Sequence, residues 1–236
     1  MRALQFQLGW QQVARLSSYV YMLNPARVAA AKVGVPVLNW GAGVLLSSWQ
    51  SARSKHRGVS DRRFDVRMID RFDQPFDELW ARVASDHSCA VVRDRSYLQW
   101  KYGDQPGQDY VRVTLWSGEH LEAFVVFKIL EPDHEYLYRR ALVAEILAPS
   151  NDPALVWATL DAACEECRKR GVDLVRLDLL SVKLEPLVRD FGFARRDGSR
   201  VFLVATGGLD EDARQLVVSA ESWLLTRGDS DIDRPW

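Results

Sequence analysis

A chain of 236 residues, 47% hydrophobic and 27% charged, carries enough apolar side chain for a packed core and lies far from the composition of disordered chains. Its 31 basic and 32 acidic residues give a formal net charge of −1, which argues against the broad positive field that draws proteins to nucleic acid. Three cysteines make no disulfide framework and point to a reducing, cytoplasmic setting. The start lacks the pattern of a secretory signal, and the nearest approach to a transmembrane segment, residues 28–49, is interrupted by Lys32, Pro36 and Asn39.

In chain order, residues 11–23 place Val13, Leu16, Tyr19, Tyr21 and Leu23 at partly alternating positions, which predicts one or two strands. Asn24-Pro25 opens a helix through Lys32; glycines in 34–43 break it, and a second apolar helix runs towards Trp49. The polar, basic stretch 51–60 reads as a linker, its charges a solvated run more simply than a phosphate or membrane contact. A short strand at 65–69 precedes an amphipathic helix over 74–83 with Phe76, Leu79, Trp80 and Val83 on one face. A second helix over 95–101 follows, and Pro106 and Gly107 end it.

The apolar period then changes from helical to alternating. Strands are predicted at 110–116, 121–130 and 141–147, the first two joined as a hairpin through Ser117-Gly118-Glu119. A helix over 153–170 stopped by Gly171, a buried strand at 172–180, a helix over 184–191, and strands at 194–196 and 200–206 complete the pattern. The tail beyond Leu209 holds one short helix and then an Asp-, Gly- and Ser-rich stretch that reads either as an ordered loop or as a frayed end. Cys164 and Cys167 spell C-x-x-C inside a helix with no second ligand pair, so packing explains them more simply than metal or redox chemistry. His87, His120 and His134 share no metal-ligand spacing.

This order of elements, the stretch Ala90-Val91-Val92-Arg93-Asp94-Arg95-Ser96-Tyr97-Leu98-Gln99-Trp100-Lys101-Tyr102 and the ending Trp223-Leu224-Leu225-Thr226-Arg227-Gly228-Asp229-Ser230-Asp231 together resemble the GCN5-related N-acetyltransferase (GNAT) superfamily. The similarity, over roughly 72–233, is to the C-terminal modules of bacterial two-module GNAT-like proteins linked to polysaccharide and cell-envelope biosynthesis. It implies an α/β (α+β) fold with a mixed, mostly antiparallel central sheet flanked by helices and an N-terminal strand/helix appendage. Residues 1–60 are then appendage and linker and 61–236 the acyltransferase-like domain with its tail. Leu8-Gly9-Trp10 echoes Phe191-Gly192-Phe193, as a remnant of a preceding, partner GNAT-like module would.

The resemblance also implies chemistry: transfer of an acyl group from acetyl-CoA or another acyl-CoA to a small-molecule or glycan-type acceptor, at an amine or hydroxyl of a sugar-derived or cell-envelope precursor. Glu145 stands where the general base is expected; its alternative is a structural carboxylate paired with Arg139, Arg140 or another neighbour. Leu147, Ser150, Asn151 and Ala154 fall where the cofactor would be held at the start of the central helix. That loop has no glycine or arginine, Asp152 would repel a phosphate and Pro153 lacks a donor. Val188 stands at the position of a proton-donating tyrosine in many relatives. Tyr97, Trp100, Tyr102, Asp229 and Asp231 are candidates to line the acceptor site, against the plainer roles of core stripe and turn cap. No metal site is expected. The damaged cradle and missing tyrosine keep a second reading open, a non-catalytic GNAT-like module that binds an acceptor or supports a catalytic partner.

Overall fold

The structure, a computed structural model, describes residues 2–33, 64–107, 109–198 and 200–230. The helix expected near Trp49 and the linker at 51–60 lie outside the described residues. The elements are α1 (Arg2–Gln7), β1 (Trp10–Arg15), β2 (Ser17–Met22), α2 (Pro25–Val33), β3 (Asp65–Met68), α3 (Gln74–Val83), β4 (Cys89–Ala90), α4 (Arg95–Leu98), β5 (Tyr110–Ser117), β6 (His120–Leu130), β7 (Arg140–Leu147), α5 (Pro153–Lys169), β8 (Leu174–Leu180), α6 (Leu184–Phe191), β9 (Ala194–Arg196), β10 (Val201–Ala205), α7 (Glu211–Val218) and β11 (Trp223–Thr226). Helix α4 continues into a wider turn over Gln99–Gly103.

The fold is the mixed, mostly antiparallel sheet flanked by helices that the family resemblance implies. Strands run β3-β5-β6-β7-β8-β11-β4, with β2 pairing β8 on its other edge and β9 pairing β2. All the main ladders are antiparallel except β7·β8 and β11·β4. Gly118, with φ of +61°, makes the tight β5–β6 turn at a backbone angle that only glycine adopts without strain. The N-terminal strand β2 is woven into this sheet, and β1 pairs with β10 in a separate two-stranded ribbon.

Strand β6 is buried without a break from Ala123 to Phe127, which alternation permits only if both faces are covered. Phe76 of α3 meets Phe124 edge to face at 5.2 Å, and α5 packs on the strand as well. Helix α3 has Pro75 in its first turn, Asp77 near its start and Arg82 near its end, each where helix geometry and dipole favour it. Cys164 and Cys167 are fully buried in the core. Each large apolar side chain taken out of water contributes roughly 1.5–3 kcal/mol.

The tail is where expectation and structure part. Among its described residues, Trp223–Thr226 form a strand: β11 lies inside the sheet, with Leu224 and Leu225 in the core, and an ordered turn over Arg227–Asp229 follows. The four-residue strand has no alternation to betray it.

Candidate functional site

The parallel strands β7 and β8 pair only from Arg140–Val143 against Leu174–Leu177, then diverge. One cause is a bulge: Val126 faces Glu145 and Phe127 faces Val143, so Ala144 is an extra residue that bends β7. Divergence leaves two rows of backbone donors and acceptors that need partners. The chain fills the gap itself. Thr226 and Leu225 of β11 pair antiparallel with Leu179 and Leu180, and β4 adds parallel to β11. Beyond β11, the turn Arg227–Asp229 carries Gly228 against β7; a Cβ there would stand 1.9 Å from the Tyr102 hydroxyl and 2.8 Å from the Ala144 carbonyl oxygen.

A buried ionic cluster locks this plug in place. The Arg93 guanidinium, wholly buried, lies 3.1 Å from Glu145 Oε1 through Nε and 2.7 Å from Asp229 Oδ2 through Nη2, and Nη1 donates to the Val91 carbonyl at 2.6 Å. Asp229 also accepts from the Thr226 amide at 2.7 Å, closing a capping box on the turn. The Tyr102 hydroxyl donates to Glu145 Oε2 at 3.5 Å. One guanidinium serves two carboxylates, and burial pushes the Glu145 carboxyl up to about 7 against the pull of Arg93. With Glu145 protonated, the cluster of Arg93 and Asp229 is neutral.

The start of α5 is closed in a similar way. The Ser150 amide and hydroxyl both donate to Asp86 Oδ2, at 3.1 and 2.9 Å, so a carboxylate of the chain occupies donors that would otherwise face an anion. Asp152 caps the helix by accepting from the Leu155 amide at 3.0 Å. The side chains of this loop and the filled gap do not fit an acyl-CoA in the place the fold resemblance assigns to it.

Of the residues singled out in the sequence, Glu145, Tyr102 and Asp229 come together at Arg93. Glu145 and Tyr102 are out of reach of solvent, and Leu147 is buried nearby. Ser150, Asn151 and Ala154 stand at the α5 start, away from that cluster. Tyr97 and Trp100 stack with ring centroids 5.9 Å apart, Trp100 half exposed. Asp231 lies outside the described residues. Val188 is buried in α6 and brings no hydroxyl. Sequence reasoning missed Arg93, Asp86 and Gly228; the only signal for the lock was the Thr226-x-x-Asp229 spacing of a capping box.

A cavity of about 560 Å³ opens on the sheet face opposite Tyr19, Val175 and Val143. Its walls include Arg140, Arg176, Arg196, Tyr136, Tyr138 and Leu142. Arg140 lies 3.8 Å over the Tyr136 ring and pairs with Asp133. Behind it, Asp178 receives Arg176 at 2.9 Å, Arg227 at 2.6 Å, and Arg200. Burial alone would raise the Asp178 carboxyl, yet these guanidiniums and Ser18 hold it below the ordinary carboxylate range.

No family model matches the chain, and no curated protein matches it. Solved structures do. A GCN5-related N-acetyltransferase from Anabaena variabilis superposes with a TM-score of 0.54 at 10% identity, over 93% of this chain and 46% of that one. A probable N-acyltransferase from Enterococcus faecalis superposes at 0.53 and 12% identity, over 86% of this chain and 42% of that one. The chain thus spans less than half the length of either. At these identities the likeness establishes the fold: the sheet and its flanking helices are those of the GCN5-related N-acetyltransferases.

Proposed function

We propose that this chain is the acceptor-binding module of an acyl-transfer system and leaves loading of the acyl donor to a partner GNAT-like module. The observation that carries this reading is β11 in the β7–β8 gap, locked by Arg93 to Glu145 and Asp229. An extended donor arm would need the space between β7 and β8, where β11 already pairs with β8, and its phosphates would need donors that Asp86 already holds.

The acceptor we assign is a sugar-derived, cell-envelope-type precursor bearing an amine or hydroxyl, handled in the cytoplasm during polysaccharide assembly. The large cavity supports that class, because guanidiniums, the carboxylates of Glu135 and Asp197, and tyrosine rings around an apolar floor suit a polar ligand with hydroxyl or amine groups and a ring face. A second reading keeps Glu145 as a general base, favoured by its pKa near neutrality; it requires β11 to withdraw before any substrate reaches the carboxylate.

Titration calorimetry with acetyl-CoA and longer acyl-CoAs decides between the two. The expected result is no saturable heat from the folded chain up to millimolar ligand. Saturable binding that weakens in Glu145→Gln overturns the proposal in favour of the second reading.

A further inference from the structure

Strand β3 ends the sheet. It pairs with β5 on one side, Asp65 to Met68 against Trp116 to Val113, and has no strand on the other side among the described residues. In the same register the Ile69 amide donates to the Arg112 carbonyl at 3.3 Å. An antiparallel ladder turns alternate residues towards one neighbour, so Asp65 and Arg67 direct their backbone groups at β5. The Thr114 hydroxyl, donating to the Arg67 carbonyl at 2.9 Å, agrees with that. Val66 and Met68 therefore direct their N–H and C=O groups away from the sheet.

The side chains divide by face. Val66 and Met68 stand beside Leu115 and Val113, on the face that continues into the core. Leu115 and Val113 are each 1% exposed, whereas Val66 is 52% and Met68 47% exposed. On the opposite face Asp65 and Arg67 pair at 2.8 Å, and the Arg67 guanidinium lies 4.8 Å from the centre of the Trp116 ring. Strand β3 carries no lysine, proline or bulge, the devices that commonly blunt an open edge.

We infer that β3 docks a second copy of this chain, strand to strand and antiparallel, about a twofold axis at Val66. Outward-facing residues must meet outward-facing ones for the new hydrogen bonds to form, so the axis falls on a residue and not between two. On Val66 it sets Asp65 of each copy opposite Arg67 of the other, twice, and aligns Val66 with Val66 and Phe64 with Met68 in one apolar row. On Asp65 or on Arg67 it would set like charges opposite each other, which destabilises a strand pair. On Met68 it would set Asp70 opposite Val66. The edge is its own complement in the Val66 register, in charge as well as in apolar side chains. Four residues a side bury little, so the dimer belongs to the reversible class below about 1,200 Å². The surface includes neither the large cavity nor the β7–β8 gap, and the inference stands apart from the donor and acceptor readings.

The test is sedimentation velocity on the full chain up to high micromolar concentration, with Asp65→Arg and Arg67→Asp measured alone and mixed in equal amounts. The parent should show a monomer–dimer equilibrium with a micromolar dissociation constant. Either variant alone opposes like charges at both pairs and should weaken the dimer by about tenfold or more. The mixture restores opposite charges at both pairs and should recover the parent's constant, which misfolded variants would not do. Val66→Pro removes an outward-facing donor and leaves the ladder to β5 intact, so it should abolish the dimer and leave the thermal midpoint of the monomer unchanged. A parent that stays monomeric throughout, a dimer that neither charge variant weakens, or a mixture no stronger than its components would each overturn the inference.

Discussion

The Arg93→Met substitution tests the lock most directly. It removes the guanidinium while keeping much of the volume, and leaves Glu145 and Asp229, both buried, facing each other without a cation. Breaking a buried pair by deleting one partner costs about 3–5 kcal/mol, or a fall in Tm of roughly 6–20 °C for a chain of this size. The pH dependence sharpens the test. Glu145 has a folded pKa raised to about 7 from 4.5, so its contribution is fully present below the unfolded value and is lost as pH rises through 7. Thermal unfolding should therefore show the parent losing stability between about pH 4.5 and pH 7, with Glu145→Gln flattening that slope. In the Glu145→Gln background Arg93→Met should cost less than it does alone, because one fewer carboxylate is stranded. Additive losses, or a loss under about 1 kcal/mol for Arg93→Met against the 3–5 expected, would show that the three side chains do not act as one unit.

Gly228→Ala should destabilise by about 1–3 kcal/mol by overpacking, since its Cβ would meet the Tyr102 hydroxyl and the β7 backbone; thermal unfolding that is unchanged would mean the turn does not press on β7. Asp178→Asn, which leaves Arg176, Arg200 and Arg227 around a neutral group, should cost about 3 kcal/mol. Because the folded Asp178 pKa lies below its ordinary value, its contribution is present above pH 3.8 and lost as pH falls further, so the substitution should also flatten the acid limb of the stability curve. Asp86→Ala frees the Ser150 amide and hydroxyl; we expect inorganic phosphate to raise the Tm of this variant and not of the parent, as equal shifts in both would contradict closure by Asp86.

Most of the fold was legible because periodicity reports burial. Phe76, Leu79 and Val83 at helical spacing, and Leu174 to Leu180 as an apolar run, are local signals of faces that the structure buries. The site was less legible. Glu145 can be singled out, and a paired carboxylate is one of its two readings, with Arg139, Arg140 or another neighbour as partner. Arg139 and Arg140 pair with Glu131 and Asp133 instead, and the neighbour is one the sequence does not name. The true partner, Arg93, is 52 residues away in sequence and sits in a polar stretch like many exposed arginines. A single sequence does not say which guanidinium is buried, since burial depends on two other segments arriving.

The tail shows the same limit in a sharper form. Trp223-Leu224-Leu225-Thr226 is too short for either period, and the residues after it favour turns as strongly as disorder. What makes it a strand is the gap left where the Ala144 bulge turns β7 away from β8: unsatisfied backbone at that divergence is costly to bury, and four apolar and β-branched residues followed by a self-capping turn satisfy it. Under the proposed function, donor binding is a contest between two occupants of one slot, the chain's own β11 and an incoming extended ligand. The Arg93 cluster weights that contest towards β11, and its cost to displace is the quantity that separates a binding module from a transferase.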